Sequence, residues 1–129
     1  MLEKRVLVVD DEEMIRSVFS KGLGHAGFKV KTAVSAEEAL AIMKEEPYSL
    51  LFLDLHLPDG MDGIALCREI RKQWPMSITV AVTGYASYYE LSDCRHAGFE
   101  DYFTKPVVLS DLIKVANDAF EKLERWKRK

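Results

Sequence analysis

The chain has 129 residues, the size of one ordinary domain, with Lys+Arg 18 against Asp+Glu 21 and a formal charge of −3. At 48% hydrophobic, 10% aromatic and 30% charged, it suits a packed core and excludes a disordered or collagen-like chain. The charge offers no basic pull towards nucleic acid or an anionic membrane. No apolar run approaches the ~18–20 residues of a spanning helix. Cys67 and Cys94 form no CxxC pair, and Met1-Leu2-Glu3-Lys4-Arg5 leads into no signal-peptide stretch. A reducing, cytoplasmic setting without direct nucleic-acid or membrane binding is the expectation.

In chain order, Val6-Leu7-Val8-Val9 reads as a buried strand, followed by Asp10-Asp11-Glu12-Glu13 and a helix over about 12–25. His25-Ala26-Gly27-Phe28 closes that helix on glycine. Phe28-Lys29-Val30-Lys31-Thr32 alternates apolar with polar, as an edge strand with one wet face would. Ser35-Ala36-Glu37-Glu38 is a capping-box pattern opening a helix over 35–45, and Pro47 stops it. Leu50-Leu51-Phe52-Leu53 is a third strand, ended by Asp54. A helix over 62–74 precedes Pro75 and the strand Ile78-Thr79-Val80-Ala81-Val82, which ends in Thr83-Gly84. Ser87-Tyr88-Tyr89-Glu90 marks a second capping box for a helix near 86–97; Tyr88 and Tyr89 cannot both face the core. His96-Ala97-Gly98-Phe99 repeats the closing tetrapeptide before a short strand around 100–103 and Thr104-Lys105-Pro106. The stripe Leu109, Leu112, Ile113, Ala116, Phe120, Leu123 predicts core packing for a last helix over 108–126. The pattern is α/β: a (βα)5 doubly wound sheet of five parallel strands. It spans residues 1–129 as one domain, about 123–129 forming a helical, basic extension.

Such a sheet gathers binding chemistry beyond the carboxyl ends of its strands. Asp10, Asp11 and Asp54 bring −3 to that rim, and Lys105 returns +1. Carboxylates so close repel unless a cation joins them. With no Cys/His cluster, a hard oxygen-liganded Mg²⁺ is the expected ion. Mg²⁺ held by few protein ligands works with phosphate, for which Thr83 and Lys105 are suitable partners. Neither GxxxxGK[ST] nor GxGxxG is present, so a phosphoryl group without a nucleotide cradle would land on a side chain. Asp54 is the best nucleophile. Taken singly, each residue has a plainer reading. Asp10, Asp11 and Glu12 suit a helix dipole, Asp54 a strand end, and Thr83 and Lys105 a solvated loop. Their convergence on one rim makes the site.

From residue 4 to about 122 the chain resembles the receiver domain of two-component response regulators. The motifs are Val-Val-Asp10-Asp11-Glu12, Leu-Phe-Leu-Asp54-Leu-His-Leu-Pro58, Val-Thr83-Gly84-Tyr85 and Asp-Tyr102-Phe-Thr-Lys105-Pro106. The resemblance implies strand order 2-1-3-4-5 and a phosphorylation-dependent signalling switch. Asp54 would accept the phosphoryl group from the phosphohistidine of a sensor histidine kinase or phosphotransfer protein. Asp11 and Asp54 would ligate Mg²⁺ directly, Asp10 largely through water, and His56 through its backbone carbonyl. Lys105 would pair with the phosphoryl group, Thr83 would hydrogen-bond to it, and Tyr102 holds the aromatic switch position beside a Lys105-Pro106 peptide that is usually cis. The readout is a changed surface at helix 4, strand 5 and helix 5, offered to an output protein or domain; a phosphorylation-dependent homodimer is compatible with it. Such a protein catalyses only its own phosphorylation and dephosphorylation.

One departure stands beside the site. In Pro58-Asp59-Gly60-Met61-Asp62-Gly63 the glycine that opens the third helix falls nine residues after Asp54, where the family commonly has eight. His56 also lies where side chains tune hydrolysis in that family. Two alternatives remain: an aspartyl-phosphate phosphohydrolase resembling haloacid dehalogenases, and a phosphorylation-independent adaptor. The first wants Asp-x-Asp after its first strand, whereas Asp10 and Asp11 are adjacent; the second predicts damage to the acidic pair, acceptor or lysine, and all are intact.

Overall fold

The computed structural model describes residues 3–58 and 60–127. The elements alternate as β1 (Arg5–Val9), α1 (Glu13–His25), β2 (Lys29–Ala33), α2 (Ala36–Glu45), β3 (Leu50–Asp54), α3 (Gly63–Gln73), β4 (Ile78–Thr83), α4 (Tyr88–Ala97), β5 (Asp101–Thr104) and α5 (Leu109–Lys127). All four strand pairings are parallel, and the order is β2-β1-β3-β4-β5, as expected. The chain starts in the middle of the sheet, adds β2 on one side, then crosses back to β3. The point of reversal lies between β1 and β3.

Successive side chains on a strand point to opposite faces, so a wholly apolar strand feeds two cores. Val6 and Val8 join Phe52, Val80, Phe19 and Leu23 under α1 and α5. Leu7 and Val9 join Leu51, Leu53 and Ala81 under α2, α3 and α4. β2 alternates between exposed and half-buried until Ala33, in keeping with its edge position. Fully burying one such aliphatic or phenyl side chain contributes about 1.5–3 kcal/mol relative to leaving it in water.

The helix ends follow their local chemistry. Ser87 and Glu90 form the full reciprocal capping box, so α4 begins at Tyr88 and Ala86 stays outside it. At α2 only half the box forms: Ser35 Oγ accepts from the Glu38 amide, but Glu38 Oε1 accepts from the Val34 amide instead of that of Ser35. Both closing glycines are left-handed, Gly27 at φ 98 and Gly98 at φ 105, a conformation that a Cβ opposes. Tyr88 and Tyr89 are both exposed. In the final stripe Leu112, Ala116, Phe120 and Leu123 are buried, while Leu109 is half-exposed and packs against Gly22, where a Cβ would strike its side chain. Cys67 and Cys94 are buried free thiols, and burial pushes both thiols up, Cys94 to about 11. α5 continues into the basic stretch as far as Lys127; residues 128 and 129 lie outside the described residues.

Candidate functional site

Parallel strands all end at the same side, and the register decides which of their last residues meet. Val9 pairs with Leu53, so Asp10, one residue past β1, is level with Asp54, the last residue of β3. Both carboxylates are buried, at 2% and 5% exposure. Lys105, one residue past β5, reaches across: its Nζ lies 2.9 Å from Asp10 Oδ2, 2.9 Å from Glu12 Oε1 and 3.6 Å from Asp54 Oδ2. Asp10 Oδ1 accepts from the Glu12 amide at 2.9 Å, and the Asp10 carbonyl accepts from Arg16 Nη1 at 2.9 Å. Asp54 Oδ1 accepts from the His56 amide at 3.2 Å.

Burial pushes the Asp54 carboxyl up from 3.8 to about 6, aided by the Asp10 and Asp11 charges and offset by the His56 amide and Lys105. Burial pulls Lys105 the other way, but its bonds to Glu12 and Asp10 and the Asp54 charge outweigh that and hold it above its usual range. The rim therefore contains a carboxylate that costs energy to ionise and an ammonium fixed in its charged form. An oxygen-bound cation or a transferable acidic group suits such a pair.

Asp10, Asp54 and Lys105 are thus brought together. Asp11 is exposed, and the carboxylates whose oxygens lie within 4.8 Å of one another are Asp10, Glu12 and Asp54. Glu12 is the residue to which the sequence reading gives a place beside the helix dipole but no role in the site. Its adjacency to Asp11 was visible, but which of the two meets a lysine 93 residues away depends on the β4–β5 pairing. All these donors are hard oxygens with no thiolate or imidazole among them, which fits Mg²⁺ and not a soft metal. Thr83 is fully buried at the end of β4; its hydroxyl donates to the Tyr85 carbonyl at 2.9 Å. Tyr102 on β5 is 42% exposed and lines a groove of about 660 Å³ with Leu91, Cys94 and Phe99. The Lys105-Pro106 peptide is cis.

The lengthened loop closes on the site. Asp62 caps α3, its carboxylate accepting from the Ala65 amide at 2.8 Å. The Gly63 amide donates to the Leu55 carbonyl at 3.0 Å. A Cβ on Gly63 would overlap the Asp54 carbonyl oxygen and lie 2.7 Å from Leu55 Cα, so the close approach of helix to acceptor strand requires glycine. Asp59, within the same loop, is outside the described residues.

Sheet order and rim together define a class: doubly wound α/β proteins with an acidic, lysine-bridged cleft at the switch point. The chain belongs to the response regulator receiver domain family, whose model matches residues 6–117. It is 33% identical to a CheY-like receiver domain protein from Methanospirillum hungatei, with a TM-score of 0.91 over 96% of this chain and 98% of that one. The receiver domain of NtrX from Brucella abortus is 36% identical, with a TM-score of 0.84 over 90% and 98%. An NtrX-like response regulator of Rickettsia felis is 32% identical over 97% of this chain but 27% of its own length. The chain spans about a quarter of the length of the NtrX-like and PilR relatives it matches, and less than half of a ycf27 regulator of Porphyridium aerugineum. Among the described residues no helix is long and apolar enough to cross a membrane.

Proposed function

We propose that the chain is a phosphorylation-dependent signalling switch in which Asp54 takes a phosphoryl group from the phosphohistidine of a sensor kinase or phosphotransfer protein. The observation that carries this is the Asp54 carboxylate itself, nearly buried at a strand end, raised to about 6 and 3.6 Å from Lys105. An Asp54 oxygen forms the new O–P bond as the P–N bond to the donor imidazole breaks, and the imidazole leaves with the electron pair. Lys105 donates to the phosphoryl oxygens from its place between Asp10 and Asp54. The carboxylates of Asp10, Asp11 and Asp54 with the His56 carbonyl would hold Mg²⁺, which supplies positive charge against theirs and the phosphoryl group's. The carbonyl of His56 lies two residues beyond the acceptor, in the turn its own amide tightens by bonding Asp54.

The readout follows from Thr83 and Tyr102. A phosphoryl group adds about two negative charges and strong acceptor oxygens, towards which the Thr83 hydroxyl turns from the Tyr85 carbonyl. Tyr102 then moves inward from its half-exposed place beside α4, and the α4–β5–α5 surface presented to an output protein, an output domain or a second copy changes. The protein acts in the cytoplasm and catalyses only its own phosphorylation and hydrolysis. Acetyl phosphate with Mg²⁺ should add one base-labile phosphoryl group by intact-mass measurement, and neither Asp54→Asn nor chelator-treated protein should gain it. Labelling of Asp54→Asn at the wild-type level would overturn the assignment.

A further inference from the structure

Two polar contacts beside α4 meet at one imidazole. His56 Nε2 lies 3.1 Å from the Tyr85 carbonyl and 3.4 Å from Glu90 Oε2. Both neighbours are acceptors, so Nε2 carries the proton and shares it between them. The Tyr85 carbonyl is the one that also accepts from the Thr83 hydroxyl at 2.9 Å. Glu90 is engaged at its other oxygen, where Oε1 accepts from the Ser87 amide at 3.1 Å and completes the cap of α4. The His56 amide, finally, donates to Asp54 Oδ1. Acceptor, threonine and the first turn of α4 are therefore joined through one residue, His56, by its backbone amide on one side and its imidazole on the other.

The first turn of α4 has little else to hold it. Tyr88 and Tyr89 are exposed, and burial begins only at Cys94. We propose that Glu90 is a positioning residue for the switch, and that the His56–Glu90 contact carries the state of Asp54 to the cap of α4; this rests on Asp54 being the acceptor. When the Thr83 hydroxyl leaves Tyr85 for a phosphoryl oxygen, the Tyr85 carbonyl keeps only the His56 donor from this pair. The shared proton then moves towards Tyr85 and away from Glu90. The cap loses its tie to the acceptor loop, and the first turn of α4 is released. A carboxylate is needed for this, because one of its oxygens accepts from the Ser87 amide while the other faces His56; an amide would put an NH2 donor in one of those two places.

The test is a double-mutant cycle on the full chain with Glu90→Gln, His56→Ala and both, read by hydrogen exchange at the Ser87, Glu90 and Leu91 amides. Each single variant should speed exchange by roughly two- to fivefold, the size of one partly exposed polar contact, and the double variant no further. Glu90→Gln should still label at Asp54 with acetyl phosphate, while beryllofluoride-induced amide shifts in α4 shrink below wild type. Additive effects in the cycle, or full wild-type α4 shifts in Glu90→Gln, would overturn the inference alone. A wild-type protein that takes no label at Asp54 overturns the acceptor reading, and the inference with it.

Discussion

Phe120 and Asp54 are about equally buried, at 4% and 5% exposure, yet they pull on the fold in opposite directions. Phe120 sits on α5 in the core shared with α1, its ring 5.8 Å from that of Phe28. Everything around it gains by leaving water. Asp54 stands on the rim at the carboxyl ends of the strands, where burial and the Asp10 charge both oppose its ionised form. α5 and α4 repeat the contrast at the level of helices. α5 buries Leu112, Ala116, Ala119, Phe120 and Leu123, whereas α4 buries only Cys94 and Ala97 and is fastened at its start by a cap. α5 is held by a broad apolar face, whereas the rim is polar and costly and α4 buries little. A switch needs an element close to balance, and a core helix is far from it.

Breaking the apolar side should give the largest effect. Phe120→Ala removes a ring from a closed core and should destabilise by about 3–5 kcal/mol, seen as a lowered denaturant midpoint. The rim should respond with the opposite sign. A rise from 3.8 to about 6 at Asp54 corresponds to at most about 3 kcal/mol at ~1.36 kcal/mol per unit, an amount that solvent screening at the open rim reduces. In metal-free buffer at neutral pH, Asp54→Asn should therefore stabilise by about 1–3 kcal/mol. The pH window follows from the direction of the shift: the folded state holds the Asp54 proton more tightly than the unfolded chain. As pH rises from about 4 to about 6, the unfolded chain loses that proton first and wild-type stability falls. The advantage of Asp54→Asn should be absent below about pH 4 and complete above about pH 6. A gain unchanged across that range would remove the charge explanation.

The smallest effect belongs to α4. Ser87→Ala deletes the hydroxyl that accepts from the Glu90 amide at 3.1 Å and should cost about 1 kcal/mol. Tyr88→Ala, on the same turn but 81% exposed, should stay within about 0.5 kcal/mol. Equal losses in the two variants would show that side-chain packing, not the cap, holds the start of α4.

The strands, their order of appearance and most helix ends could be read from the chain because their causes are local. Val6–Val9 and Leu50–Leu53 are apolar throughout, Ser87 and Glu90 are three residues apart, and Gly98 closes the helix that contains them. The resemblance supplied the strand order, which the alternation of elements could not. What the sequence left open depends on residues that meet only when the sheet is assembled. Glu12, not Asp11, faces Lys105; Gly63 must lack a Cβ because the Asp54 carbonyl lies against it; His56 spans from the acceptor loop to Glu90. Each of these is a contact between segments 9 to 93 positions apart. Periodicity and caps are set by neighbours three or four residues away. Pairing across the rim is set by strand register, where a shift of one residue would turn every side chain to the other face.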